Sequence, residues 1–276
     1  MARLTRREFL TALAVAGLAP LLERLTRRAI PGEGGCGTFR PHPAGGQPPG
    51  GDGHQWAMVI DQGACIGCNY CTYACLATND VRPDVPWNEV LVQAELAGGK
   101  VFLPRPCMHC EQPPCVSVCP VRATYRRPDG IVAMDYDRCI GCRYCMVACP
   151  YEARHFNWER WEGTNPYVPN WGLPEIQRRP RGVVEKCTFC VQRIEFGLAR
   201  GLTPGLDREA TPACVVECPV NARFFGDLND PESAVSRLLA ERPHVRLRED
   251  LGTAPRVYYL TTLEVLPPTT PPPRSP

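Results

Sequence analysis

The fold is decided by a cysteine pattern that the chain writes twice: residues 139–150 read CIGCRYCMVACP, and residues 65–76 read CIGCNYCTYACL. These two stretches are separated by an offset of 74 residues. A second repeat has an offset of 99 residues: CVSVCPVRATY at 115–125 corresponds to CVVECPVNARF at 214–224. The body of the chain therefore consists of two copies of a two-motif unit, interleaved or nested.

The chain has 17 cysteines among 276 residues, and all but Cys36 fall into four groups of four. Group one is Cys65, Cys68, Cys71 and Cys75; group two is Cys107, Cys110, Cys115 and Cys119; group three is Cys139, Cys142, Cys145 and Cys149; group four is Cys187, Cys190, Cys214 and Cys218. Such a density indicates disulfides, structural zinc or iron–sulfur clusters. Cys36 lies in a glycine-rich stretch, where it is expected to be incidental or to be removed with the signal, and a lipid-anchor role is the alternative.

The spacing C-x2-C-x2-C-x3-C-P is that of the bacterial ferredoxin motif, in which thiolates bind a cubic [4Fe–4S] cluster. Three thiolates two residues apart can wrap one cluster on a tight loop, where Gly67 and Gly141 let the backbone come close. The fourth cysteine begins the next turn and binds the other cluster of a pair. The spacing thus predicts crossed ligation, but it does not say which groups pair.

The N-terminus predicts the compartment. Adjacent Arg6 and Arg7 precede an apolar run over residues 9–22, which is too short to span a membrane. A charged start with a short apolar run is typical of a secretory signal, and the paired arginines resemble a twin-arginine (Tat) signal. We expect a Tat signal over 1–30, with export to the periplasm or the outer face of the cytoplasmic membrane. Clusters are assembled in the cytoplasm, which agrees with export of a folded protein.

The remaining chain divides into four stretches. We predict a flexible linker over 31–55, a four-cluster body over 56–228, an extension with a helix and a strand over 229–266, and a disordered tail over 267–276. Short strands are expected in WAMVID before group one and GIVAMD before group three, the extension helix in PESAVSRLLAER and its strand in RVYYLTTLEV. A net charge of +2 gives no indication of nucleic-acid binding. The chain has no nucleophile motif, phosphate loop or dinucleotide fingerprint, so no active site of its own is expected.

The stretches CIGCNYC, CMHCEQPPCVSVCP, CIGCRYCMVACP, EKCTFC and PACVVECP resemble the four-cluster iron–sulfur subunits of molybdopterin oxidoreductases. These include dimethyl sulfoxide, polysulfide and tetrathionate reductases. The resemblance implies an α+β, loop-rich fold with two ferredoxin-like units in pseudo-two-fold arrangement. It also implies electron transfer between a quinone-reactive membrane-anchor subunit and a molybdopterin-containing catalytic subunit, with the membrane reached only through the partner.

In that family groups one and four pair, as do groups two and three, so 65–75 with 187–218 form one unit and 107–149 the other. The resemblance implies four [4Fe–4S] clusters. Their ligands would be Cys65, Cys68, Cys71 and Cys218 (set 1); Cys187, Cys190, Cys214 and Cys75 (set 2); Cys107, Cys110, Cys115 and Cys149 (set 3); and Cys139, Cys142, Cys145 and Cys119 (set 4). The cluster of set 4 is expected nearer the quinone end.

Alternatives stay open at this point. The chain also resembles the iron–sulfur proteins of hydrogenase and cytochrome nitrite reductase chains, some of which carry their own Tat signal. From a different class, a zinc-stapled structural protein would use C-x2-C pairs. Among single residues, His109 is expected either to tune a cluster or to pack. Lys186 is expected to be solvated, with the alternative that it donates charge to a cluster or to a partner's cofactor, and Tyr70 and Tyr144 are expected to pack over clusters. The aromatic segment 155–182 is expected to cover a cluster, to form a partner surface, or simply to pack.

Overall fold

The computed structural model describes residues 53–96 and 99–261, except for the side chain of Leu96. The predicted signal, Cys36, nearly all of the linker and the tail therefore lie outside the described residues. All described residues belong to one compact unit. None of the helices within 53–261 is long and apolar enough to cross a membrane.

A four-stranded sheet supports group one. Its strands lie in the order β8 (Arg223–Asp227), β1 (Trp56–Asp61), β10 (Val257–Leu260) and β9 (His244–Val245). Strand β1 is antiparallel to β8 and parallel to β10. Five consecutive apolar residues make β1 buried on both faces, as expected of a central strand. The strand predicted in WAMVID is confirmed, and the C-terminal extension supplies an inner strand of the same sheet.

A smaller strand pair supports group three. Strands β4 (Thr124–Arg126) and β5 (Val132–Met134) pair antiparallel, and β5 lies within the predicted GIVAMD strand. Met58 of β1 faces Phe225 of β8, and Val132 of β5 faces Arg126 of β4. The offset of 74 residues carries β1 onto β5, and the offset of 99 residues carries β8 onto β4. The two strand pairs therefore have the same register.

The sequence did not predict two further strand pairs. Strands β2 (Glu89–Leu96) and β3 (Gly99–Arg105) form an antiparallel pair with an irregularity between Val92 and Ala94. Strands β6 (His155–Phe156) and β7 (Val184–Glu185) are two residues long. A two-stranded pair is only marginally stable by itself and depends on packing against other elements. Its formation is therefore decided by distant parts of the chain, and the local sequence gives only a weak signal for it.

Five of the six described helices begin beside a cysteine. The described helices are α1 (Tyr70–Thr78), α2 (Pro114–Ser117), α3 (Tyr144–Val147), α4 (Val191–Leu198), α5 (Ala213–Val216) and α6 (Ala234–Glu241), with 3₁₀ turns at Arg208–Ala210 and Glu249–Leu251. Helix α6 confirms the predicted extension helix, and the side chain of Ser233 caps it by accepting from the Ser236 N–H at 3.2 Å.

Segment 155–182 packs against α1. Tyr167 stacks on Tyr73 with ring centroids 5.0 Å apart, and Trp171 makes an edge contact with Tyr70 at 4.4 Å. The Asn165 side chain donates to the Leu76 carbonyl at 2.8 Å, which ties the segment to the end of the helix. The aromatic residues of this segment thus cover the helix that carries the last two cysteines of group one.

Candidate metal centres

The four cysteines of set 3 line one cavity in the described structure. They come from three places in the sequence: a loop before α2, α2 itself and the turn after α3. The cavity is lined by Cys107, Met108, Cys110, Pro113, Pro114, Cys115, Val132, Cys149, Pro150, Tyr151 and Arg154. The cysteine that joins this set from group three is the fourth of its own motif, the one for which the spacing predicts crossing.

The four cysteines of set 4 line a second cavity. Its walls are Cys119, Val121, Ala123, Thr124, Met134, Cys139, Ile140, Gly141, Cys142, Arg143, Cys145 and Val184. Here the crossing cysteine is Cys119 of group two. Groups two and three therefore exchange their fourth cysteines in space.

The cysteines of set 2 are brought together deep in the core. Burial raises the pKa of the Cys75 thiol well above its ordinary value, and the neighbouring thiols of Cys187, Cys190 and Cys214 raise it further. All four side chains are buried. Cys75, the fourth cysteine of group one, thus lies among the first three of group four.

Set 1 lies at the surface end of the same unit. Burial raises the pKa of Cys65, and nearby Cys71 and Cys218 add to the rise. Cys68 is half-buried in the loop that leads into α1. Cys218 of group four therefore reaches the motif of group one.

The four sets differ in exposure. We call sets 2 and 3 the inner sets and sets 1 and 4 the outer sets. All inner cysteines except Cys149 are buried, whereas Cys71 and Cys145 alone are buried among the outer cysteines. The two inner sets are neighbours. Burial raises the pKa of Cys187 in set 2, and the next largest contribution to this rise comes from Cys107 in set 3. The cysteine sets thus run from a half-exposed set through two buried sets to another half-exposed set.

The donor chemistry of the cavities fits iron–sulfur clusters. Both cavities are lined by thiols, mainly apolar groups and one arginine each, without a carboxylate, and soft thiolates select clusters over hard cations. All sixteen described cysteines are free thiols rather than disulfides. No group of three or more His, Cys, Asp or Glu residues within the described ranges could hold a single metal ion, whereas in a cubic cluster each thiolate binds its own iron.

Burial favours the protonated thiol at two inner cysteines. It raises the pKa of Cys110 and of Cys214 to about 12, well above the ordinary value. Metal ligation needs thiolates, so filling these sites must release protons. The free energy of cluster binding therefore offsets a desolvation cost that is larger at the inner sets.

Hydrogen bonds to sulfur repeat around the crossing cysteines. The Ala123 N–H lies 3.2 Å from the Cys119 sulfur, and the Ala222 N–H lies 3.2 Å from the Cys218 sulfur. At the matching position of group one stands Asn79, whose side-chain amide donates to Cys75 and Cys190 instead. Such donors stabilise the more negative state of a cluster and so influence its potential.

Lys186 and His109 lie in the core. The expectation that Lys186 is solvated is wrong: its side chain is fully buried and donates to the carbonyls of Cys187, at 2.6 Å, and Val132. The His109 ring stacks on Phe189 at 3.7 Å and accepts from the Val132 N–H at 3.1 Å. Burial lowers its pKa well below the ordinary value, so it packs as a neutral ring.

Gly67 and Gly141 adopt the left-handed backbone, with φ of 72° and 69°. A Cβ at Gly67 would overlap the Phe102 ring, and one at Gly141 would overlap the carbonyl oxygen of Gly182. The requirement for glycine within the outer motifs thus arises from backbone conformation and neighbouring chain as well as from the approach to a cluster.

Sequence reasoning missed two arginines beside the cysteines. Arg154 and Arg223 are buried, each five residues after the last cysteine of its group. The signal that could have found them is the shared pattern C-P-x-x-A-R at 149–154 and 218–223.

Two family models match the chain, and both are described as a 4Fe-4S dicluster domain. One covers residues 64–123 and 138–222, and the other covers residues 99–164. Together the matched ranges include every cysteine of the four groups.

Curated relatives match over most of their length. The iron-sulfur cluster-binding subunit of menaquinone reductase from Nitratidesulfovibrio vulgaris is 44% identical over 76% of this chain and 90% of its own. A subunit of selenate reductase from Mesobacillus selenatarsenatis is 44% identical over 75% of this chain and 72% of its own. A subunit of tetrathionate reductase from Salmonella typhimurium is 36% identical over 93% of this chain and 88% of its own.

Proposed function

Because the chain belongs to the 4Fe-4S dicluster family that includes the iron–sulfur subunits of tetrathionate and polysulfide reductases, we propose that it relays single electrons within an oxidoreductase complex. One observation carries this proposal: the cysteines form four sets that run from half-exposed through buried to half-exposed. Half-exposed cysteine sets at both ends, with buried sets between them, suit a protein that accepts electrons from one partner and donates them to another.

We assign one [4Fe–4S] cluster to each cysteine set. The sixteen ligands are Cys65, Cys68, Cys71 and Cys218; Cys187, Cys190, Cys214 and Cys75; Cys107, Cys110, Cys115 and Cys149; and Cys139, Cys142, Cys145 and Cys119. Support comes from the cavities that sets 3 and 4 line and from the mutual effects of the thiols within sets 1 and 2.

When bound, each cluster accepts and gives back one electron at a potential set by its surroundings. The protein's part is to hold the thiolates, exclude water and supply hydrogen bonds. The buried walls of the inner sets keep water away, and Asn79 and the alanine N–H groups donate to sulfur. This electron relay requires no residue that binds a substrate, and the sequence contains no catalytic motif.

The proposed partners are a molybdopterin-containing catalytic subunit and a quinone-reactive membrane-anchor subunit. The resemblance of the cysteine motifs supports the first, and the match to a subunit of menaquinone reductase supports the link to a quinone. The cluster of set 4 would lie nearer the quinone end. A hydrogenase or a cytochrome nitrite reductase would be an alternative partner, and co-purification from the source cell separates these partners by their cofactors.

Export by the Tat pathway to the periplasmic side of the membrane is part of the proposal. Its support is the Arg6-Arg7 pair before a short apolar run. The alignment with the tetrathionate reductase relative covers 93% of this chain, so it includes residues that precede the described ones. Replacing both arginines by lysine should retain the folded, iron-loaded protein in the cytoplasm, and cell fractionation measures this.

The test of the function is an anaerobic preparation analysed for iron, acid-labile sulfide and zinc, with EPR of the reduced protein. About 16 iron and 16 sulfide per chain are expected for four cubic clusters. About 15 iron with a signal in the oxidised protein would replace one cubic cluster by a three-iron cluster. Zinc in place of iron would overturn the proposal.

A further inference from the structure

Two buried arginines of the described structure have no acidic partner within it. Arg154 is 4% exposed and Arg223 is 3% exposed. The ion pairs among residues 53–96 and 99–261 include neither of them. Burying a guanidinium without a counter-charge costs free energy, because the charge loses its hydration and no opposite charge compensates for this loss. Something anionic is therefore expected beside each.

Other buried arginines of the same core show what a structural arginine looks like here. Arg127 donates to Asp129 at 2.9 Å and to Glu195 at 2.6 Å. Arg179 donates to Glu185 at 2.6 Å. This core thus supplies carboxylates to arginines that serve only its fold.

Arg154 lies between set 3 and set 4. Its guanidinium donates to the Cys115 sulfur of set 3 at 3.0 Å and to the Thr124 hydroxyl at 2.7 Å. Burial raises the pKa of Cys145 of set 4, while the charge of Arg154 and a hydrogen bond from it act in the lowering direction. One cation therefore faces a ligand of an inner set and a ligand of an outer set.

Arg223 has the same position between set 1 and set 2. Its guanidinium donates to the Asn88 side-chain oxygen at 2.6 Å. Burial acts to lower the pKa of Arg223, whereas nearby groups, with Cys71 of set 1 and Cys214 of set 2 first among them, act to raise it, and the net shift is upward. Both predicted cluster pairs therefore enclose one arginine each.

The two arginines are not simply copies of one repeat position. The offset of 99 residues carries Arg223 onto Thr124, and the offset of 74 residues carries Arg154 back onto Asp80. In the unit of sets 3 and 4 the arginine follows group three, and in the unit of sets 1 and 2 it follows group four. The shared feature is the place between two cysteine sets.

We propose that Arg154 and Arg223 each raise the reduction potentials of the two clusters between which they lie. This inference rests on the proposed function. A cluster with four thiolates is anionic, and reduction adds one further negative charge without forming or breaking a bond. A fixed cation in a buried site stabilises the reduced form more than the oxidised form. Because each arginine faces two cysteine sets, both clusters of a pair shift together.

The test uses four variants of the full chain: Arg154→Gln, Arg154→Lys, Arg223→Gln and Arg223→Lys. Iron and sulfide content are measured first, followed by an EPR-monitored redox titration of the intact protein. Arg154→Gln should move two midpoints to more negative values, by at least the 59 mV that corresponds to a tenfold change in a one-electron equilibrium. Arg223→Gln should move the other two. The lysine variants keep the charge and should shift less.

Each unit is the matched control for the other. Full iron content with all midpoints unchanged in the glutamine variants would overturn the proposal, as would equal shifts in the glutamine and lysine variants. If a glutamine variant at one position assembles no clusters, the variant at the other position decides. Failure of both glutamine variants to assemble would assign the arginines to folding. Absence of iron from the unaltered chain would instead refute the proposed function itself.

Discussion

The inner and outer cysteine sets use the same ligand in different surroundings. Five of the eight inner cysteines are part of the largest hydrophobic core, together with residues such as Trp56 and Tyr259, and Cys149 packs against it. Six of the eight outer cysteines are half-exposed, and the loops of the outer motifs carry the exposed side chains of Ile66 and Ile140. Under the proposed function, we therefore expect the inner sets to hold the fold together and the outer sets to exchange electrons with partners.

The largest effect is expected from Cys187→Ser in an inner set. A hydroxyl is a poor substitute for a thiolate, and the defect lies in the core beside Cys107 of the other inner set. We expect loss of the iron of more than one cluster and a destabilisation above about 4 kcal/mol, which is roughly a 10 °C fall in melting temperature. Iron analysis and thermal denaturation measure both. Loss of one cluster with an unchanged melting temperature would remove the distinction between inner and outer sets.

Cys142→Ser in an outer set is the matched variant. Because Cys142 is half-exposed and outside the largest core, we expect one cluster to be perturbed while the other three remain detectable by EPR. Turnover of the whole complex should slow, since the electron path is broken at one end. Simultaneous disappearance of all four clusters would assign a folding role to the outer sets as well.

Glycine replacements compare the two outer sets with each other. Gly141→Ala should cost about 3 kcal/mol, because the left-handed conformation is unfavourable for alanine and the new methyl meets the backbone of Gly182. Gly67→Ala should cost about 2 kcal/mol, because the ring of Phe102 can move aside. Chemical denaturation of both variants gives the difference. A larger cost at Gly67 would show that the Phe102 ring is fixed.

The smallest effect on the protein itself is expected from Ile66→Ser and Ile140→Ser. Both side chains are exposed, at 58% and 64%, so stability should change by less than about 0.5 kcal/mol and iron content should not change. Each variant should weaken binding of one partner by at least about 1 kcal/mol, with a different partner for each end. Titration calorimetry with the separate partners measures this. Weakening of the same partner by both variants would contradict a relay with two ends.

Local sequence was sufficient where the signal lies within a few residues. The strand WAMVID, the part of GIVAMD in β5, the helix after Ser233 and the start of the strand at Val257 were all predictable from apolar pattern and turn residues. The pair β2 and β3 was not, since a half-exposed hairpin gives only a weak pattern. The prediction for Lys186 was wrong because nothing in the local sequence indicates that its ammonium group donates to two backbone carbonyls in the core.

The four cysteine groups, the ferredoxin motif of groups one and three and the crossing of the fourth cysteine could be predicted from the residues, because ligand spacing on a short loop is a local property of the chain. Three features required the folded chain: which sets are buried, that β10 lies beside β1, and that Arg154 and Arg223 stand between cysteine sets. The physical reason is that exposure and electrostatic environment depend on atoms contributed by distant parts of the chain. Arg223 shows this, since its hydrogen-bond partner Asn88 lies 135 residues earlier.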